Sequence, residues 1–261
     1  MVELGETGLP ASFEAAWGIR ERPARGRRPS LSLGRIVEAG VRVATAEGLA
    51  AVSMSRVAAD LGAGTMALYR YVGAKDELLA LMVDAALGRP PSELGTGDWR
   101  TQLAAWARSY VEVLRRFPWV VRVPISGPPI TPNQIVWFEH GLRAMRETEL
   151  IGTEKLSILI LLSGFVRSQA ELEADLAEAF SAPDGAAGRI AASYGRLLAT
   201  LTDPERFPAV HGLLAEGTFD EDPESYDRDA EFDFGLQRVL DGIESLVRTR
   251  ASDELRPSGS S

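Results

Sequence analysis

The 261-residue chain contains no cysteine, which excludes disulfides and thiolate metal sites and makes a reducing cytoplasm the expected setting. It has only two histidines, His140 and His211, so a Ser-His-Asp arrangement would need one of those two. No P-loop, no GxGxxG after a strand, no HExxH and no GxSxG is present. Neither an enzyme nor a metal or cofactor site is therefore expected. The most apolar stretch, residues 156–166, is too short to span a bilayer. Residues 1–18 carry acids and no long apolar run, so no signal peptide and no membrane partner are expected. Strand-like alternation is also missing, and no segment of 20–50 residues repeats, which argues against a solenoid.

The overall charge of −9 looks wrong for a nucleic-acid binder, but it is unevenly distributed. Residues 20–87 carry ten basic and seven acidic side chains, whereas residues 88–261 carry 18 basic and 27 acidic ones. Within residues 20–36 there are six arginines and one acid. A basic end on an acidic body directs phosphate binding to one place.

Three short helical patterns follow one another in residues 53–79, SMSRVAADLGAGTMALYRYVGAKDELL. Ser53 caps the first, in which Met54, Val57, Ala58 and Leu61 recur at helical spacing. Gly62 stands where a left-handed residue ends that helix, and Thr65 starts the next after a three-residue break. In the second helix Ala67 and Leu68 face inward, leaving Thr65, Met66, Tyr69, Arg70 and Tyr71 on or near the surface. Two tyrosines and an arginine on one exposed turn are costly unless they contact something. A support helix, a glycine turn and a short aromatic and basic helix form a helix-turn-helix. Ser32 caps the preceding helix, 33–46, whose inner stripe is Ile36, Val37, Gly40, Val41, Val43 and Ala44.

The order of features resembles the tetracycline-repressor (TetR) family of bacterial transcription regulators. A basic arm precedes a helix ending in Glu47-Gly48-Leu49. A capped helix with Val57-Ala58 then leads to Leu61-Gly62, Leu68-Tyr69-Arg70-Tyr71-Val72 and Lys75-Asp76-Glu77-Leu78-Leu79. The match covers residues 31–81. The resemblance implies an all-α fold, with an N-terminal three-helix helix-turn-helix DNA-binding domain and a larger C-terminal helical domain for ligand binding and dimerisation. The expected partners are double-stranded operator DNA, a small-molecule effector and a second copy of the chain.

The expected organisation is a flexible basic arm at residues 1–30, a DNA-binding domain at 31–87 and an effector-binding and dimerisation domain at 98–250. The Pro/Gly-rich stretch 88–98 separates the last two. For DNA, Arg27 and Arg28 in the arm suit the minor groove or adjacent phosphates. Ser55 and Arg56 on the support helix suit backbone contacts. Thr65, Met66 and Ala67 match base-facing positions but offer little hydrogen bonding. Tyr69 and Tyr71 suit phosphate or sugar contact, with Tyr69 as packed core the alternative reading. Arg70 reaches either a guanine edge or solvent. Lys75 matches the family's phosphate-contacting lysine.

The rest reads as helices at 99–117, 132–146, 154–180, 190–201, 204–216 and 234–248, with a short segment at 118–123. Residues 219–233, eight of fifteen acidic, read as a mobile loop. The aromatic residues Trp106, Tyr110, Phe117, Trp119, Trp137, Phe138 and Phe165 suit an effector pocket, with His140, Arg143, Arg167 and Gln169 as polar candidates. Ordinary core is the alternative for many of them. Family members that bind tetracycline with magnesium use a histidine soon after the position of Trp119. Here Arg122-Val123-Pro124-Ile125 carries none, so that effector is not expected.

Overall fold

A computed structural model describes residues 7–19, 31–91, 97–181, 190, 193–220 and 227–254, and its regular elements are helices. They are α1 (Ala11–Ala16), α2 (Leu33–Glu47), α3 (Met54–Asp60), α4 (Thr65–Tyr69), α5 (Lys75–Leu87), α6 (Trp99–Arg116), α7 (Pro132–Ala144), α8 (Gly152–Phe180), α9 (Tyr194–Leu201), α10 (Pro208–Ala215) and α11 (Arg228–Glu254). A 3₁₀ turn, Pro118–Arg122, follows α6. Arg27 and Arg28 lie outside the described residues, as do residues 92–96 of the expected break at 88–98.

Caps and turns set the N-terminal helices. The Ser32 and Ser53 side chains accept the backbone N–H groups of Arg35 and Arg56, so α2 and α3 each start where a hydroxyl replaces a missing carbonyl partner. Gly62 ends α3 with φ +61°, a conformation that any side chain would strain. Ile36, Val43, Val57, Leu68 and Val72 are buried between α2, α3 and α4, and Leu78 and Met82 of α5 close the same core. Each fully buried aliphatic side chain contributes about 1.5–3 kcal/mol. A methyl at Gly40 would stand 2.6 Å from the Met82 Sδ, so the Met82 side chain packs directly on α2 there.

Two compact units result, residues 7–171 with 238–254, and residues 172–237. In the first, α7 is capped by another helix. Its own N-cap residue, Thr131, makes no capping bond. Instead the buried Asp84 of α5 accepts the Asn133 and Gln134 N–H groups at 2.8 and 3.0 Å, and the Asn133 amide at 3.1 Å. In the second unit Tyr194 and Phe219 meet edge to face at 5.5 Å, and Thr202 pairs with His211 at 3.0 Å.

Three expectations change. Residues 7–19, read as part of a flexible arm, form a turn and α1 with Phe13 buried, because Phe13 finds a wall to pack against. The last helix starts at Arg228 rather than 234, taking in the last six residues of the segment read as an acidic loop. Asp227 Oδ1 accepts the Asp229 and Ala230 N–H groups, and acids in the first turn are favourable at a helix N-terminus. The helix expected from 204 starts at Pro208, where the ring suits the first helical position.

Asp84→Ala leaves two part-buried N–H groups at the start of α7 without an acceptor. It should lower unfolding free energy by about 2 kcal/mol. A urea transition whose midpoint does not move in Asp84→Ala contradicts this account of how α7 is held.

Candidate nucleic-acid interface and effector cavity

The reading surface is built on a five-residue helix that its neighbours hold in place. Leu68 anchors α4 to the core, and the turn at Gly62 points its other faces outward. Met66 is 77% exposed and Tyr69 45%, with Arg70 and Lys75 also exposed. Thr65 and Ala67 are half-buried. Tyr69 is therefore not the packed core residue of the alternative reading.

Three other expected DNA contacts are already engaged. The half-buried Tyr71 donates its hydroxyl to the Leu31 carbonyl at 3.2 Å, which ties the end of the reading turn to the entrance of α2. Arg56 forms a forked pair with both oxygens of Glu47, and this hydrogen bonding raises its pKa. Ser55 is exposed, with its Oγ 3.1 Å from that of Ser53.

The first unit also contains a cavity of about 440 Å³. Of the eleven residues expected there, the structure brings Trp106, Tyr110, Trp137, Phe138 and Arg167 to its lining. Trp106, Tyr110 and Trp137 form a cluster with ring centroids 5.4–5.8 Å apart. Trp106 donates its indole N–H to the Trp137 carbonyl at 3.0 Å, and Trp137 donates to the Gly88 carbonyl at 3.0 Å. Arg167 donates to the Val121 and Val123 carbonyls at 3.3 and 3.5 Å. Burial pushes the Tyr110 phenol above its ordinary pKa, and the Arg167 guanidinium beside it only partly offsets that.

Phe117, Trp119, His140, Arg143, Phe165 and Gln169 do not line the cavity. Helix geometry explains three of them. On α8 the lining residues Leu159, Ser163 and Arg167 follow one another four apart. Phe165 and Gln169 stand two positions off that row, about 200° around the helix. On α7 Gln134, Trp137 and Phe138 share the lining face, and His140 lies two positions past Phe138. Burial, then Arg143, lowers the His140 pKa. Phe117 packs on Trp119 at 6.2 Å, and the buried Trp119 donates its indole N–H to Thr45 Oγ1 of α2 at 3.1 Å.

The sequence reading missed Val83 and Leu87 of α5, Phe13 of α1, the loop around Ile130 and the hydroxyl of Thr131. Thr131 is 1% exposed and its Oγ1 has no hydrogen-bond partner. Phe13 and Trp17 at helical spacing in an otherwise small and polar segment were the one available signal.

With this geometry established, comparison with known proteins gives the class. Residues 36–82 match the family described as "Bacterial regulatory proteins, tetR family", and residues 90–247 match "Tetracyclin repressor-like, C-terminal domain". The chain belongs to the TetR family and is a DNA-binding transcriptional regulator rather than an enzyme. It is 40% identical over 256 residues to the HTH-type transcriptional repressor DrrR1 of Streptomyces coeruleorubidus, covering 95% of this chain and 90% of that one. Apo ActR from Streptomyces coelicolor superposes with a TM-score of 0.69 at 28% identity, covering 87% of this chain and all of that one. ActR in complex with actinorhodin gives 0.68 at 29%, covering 83% and 98%. Among the described residues no helix is long and apolar enough to cross a membrane.

The raised Tyr110 pKa has a sign that can be checked. The unfolded chain releases this proton first, so the neutral phenol favours the fold below about pH 10, and that contribution is lost as pH rises above it. Comparing Tyr110→Phe with the parent in urea, the stability difference should stay constant below about pH 9 and shift in favour of the variant above it. A difference that is flat through this range contradicts the assignment.

Proposed function

We propose that the chain is a cytoplasmic, homodimeric repressor that binds palindromic operator DNA and releases it when a small molecule occupies the cavity. One observation carries this reading. The exposed helix that presents Met66, Tyr69 and Arg70 and the aromatic cavity share α5, whose first residue is Lys75 and whose other end supplies Val83 and Leu87 to the cavity. A ligand that binds one position of α5 better than another shifts the reading head with it.

On the DNA side, Tyr69 and Lys75 make backbone contacts. Thr65, Met66 and Ala67 lie against base edges with few hydrogen bonds, so specificity rests on Arg70, methyl contacts and DNA shape. Arg27 and Arg28 act from the arm. One head covers too little DNA for high affinity, so two act together. Exposed Leu172, Leu176 and Phe180 on α8 support pairing through residues 170–180 and the last helix as a four-helix bundle. Leu236, Leu240 and Ile243 of that helix are buried within the chain, which leaves its other faces for the partner. We place the division between reading head and effector domain at residues 88–97; the two family matches leave residues 83–89 between them.

The lining fits a flat aromatic ligand with an acidic or carbonyl oxygen. Three rings supply stacking surface, Arg167 a positive charge, and Thr131 a hydroxyl with no internal partner. ActR, known in complex with actinorhodin, supports this class of effector.

The test is a mobility shift on the DNA upstream of the protein's own gene. Tyr69→Phe and Lys75→Ala should weaken binding on every sequence that is bound. Lys75→Ala should also reduce the slope of log affinity against log salt by about one. An unchanged affinity and slope in Lys75→Ala refutes the phosphate contact. A bound complex that no aromatic acid dissociates, together with no thermal stabilisation by any of them, refutes the effector.

A further inference from the structure

Residues 7–19 lie outside both family matches, yet they touch the reading head and the cavity at once. Ser12 is buried and donates its hydroxyl to Glu77 Oε2 of α5 at 2.6 Å. Phe13, 6% exposed, is part of the cavity wall. Trp17 donates its indole N–H to the Ile130 carbonyl at 2.8 Å, in the proline-rich loop that forms the facing wall. Glu14 braces the segment from within, accepting the Thr7 N–H at 3.0 Å and the Thr7 hydroxyl at 2.9 Å. A helix of six residues has no stability of its own, so these tertiary contacts are what order it.

The Glu77 end of the contact is finely balanced. Its Oε2 also accepts the Gly73 N–H at 3.1 Å, in the turn that joins the reading helix to α5. Its Oε1 is buried with no partner, a cost that water would relieve if the segment lifted. At the other end one exposed indole bond closes the segment onto the loop.

We propose that residues 7–19 are a latched wall of the effector site. Phe13 contacts the bound molecule, while Ser12 and Trp17 hold the wall closed over it. The ligand class is the flat aromatic acid argued above, on whose site this inference rests. Release then requires the Trp17 bond to open, and the same opening alters the carboxylate that holds the turn at Gly73.

The full-length chain and the fluorescent aromatic anion 8-anilinonaphthalene-1-sulfonate test this. Trp17→Phe keeps the ring and removes the bond to Ile130, so the probe should leave about three- to tenfold faster, the ratio one net hydrogen bond supplies. Phe13→Ala should weaken probe binding about tenfold. Arg167→Met and Tyr110→Ala, deeper in the cavity, report on the site itself. If these two weaken the probe while Phe13→Ala and Trp17→Phe keep the parent affinity and release rate, the latched wall is wrong and the effector site stands. If all four behave like the parent, both readings fail. Hydrogen exchange on the unaltered protein guards against a misfolded Phe13→Ala. Amides of residues 8–19 should gain protection when the probe binds, and unchanged exchange there overturns the proposal.

Discussion

The buried carboxylate of Asp84 holds α7 against α5. It lies on α5, which completes the core of the reading head through Leu78 and Met82, and it supplies the cap that α7 lacks. The position of α7 relative to α5 is thereby set by directional bonds to a charged group, stronger and more specific than apolar contact alone. The cavity lies beside this joint, lined by Val83 and Leu87 from α5 and by Gln134, Trp137 and Phe138 from α7. Neither helix can shift without the cavity changing shape.

Tryptophan supports the same frame. Four of the five indoles donate to an acceptor on another element: Trp17 to Ile130, Trp106 to Trp137, Trp119 to Thr45 and Trp137 to Gly88. Trp106, Trp119 and Trp137 are buried, so each is fixed at both its apolar body and its polar edge. Trp119 serves the joint between α2 and the turn after α6 rather than the ligand. Pocket aromatics and joint aromatics are identical in composition and differ only in which way the ring points.

That difference explains how much was legible. The helix-turn-helix was readable because local rules govern it: Ser32 and Ser53 cap, Gly62 takes positive φ, and Leu68 anchors a turn whose other residues face out. The body's helices were readable from their apolar spacing, to within a few residues at their ends. The last helix was the exception, because Asp227, Asp229 and Glu231 read as loop when they are a cap and a favourable first turn. The cavity was half readable. Trp106, Tyr110, Trp137, Phe138 and Arg167 converge, but assigning His140, Phe165 and Gln169 needed the rotation of each helix about its axis. Asp84 was beyond reach, since it acts across a sequence separation that no spacing rule spans, and Phe13 was visible only through its helical spacing with Trp17. Tyr71 and Arg56 were readable as polar and near the surface, but not as already bonded to Leu31 and Glu47.

The close crossing of Gly40 and Met82 has a mechanical consequence. The Met82 side chain packs directly on Gly40, so α2 and α5 are in close contact there, and α5 spans about 18 Å from Leu87 to Lys75. Tilting that helix by about 5° at its cavity end carries Lys75 sideways by roughly 1.5 Å. In the symmetric pair proposed above, the two displacements add to roughly 3 Å, against half-sites about 34 Å apart on the duplex. Few ångströms of slack exist in matching two heads to successive major grooves, so a small wedge at one end of the lever suffices to spoil the fit at the other.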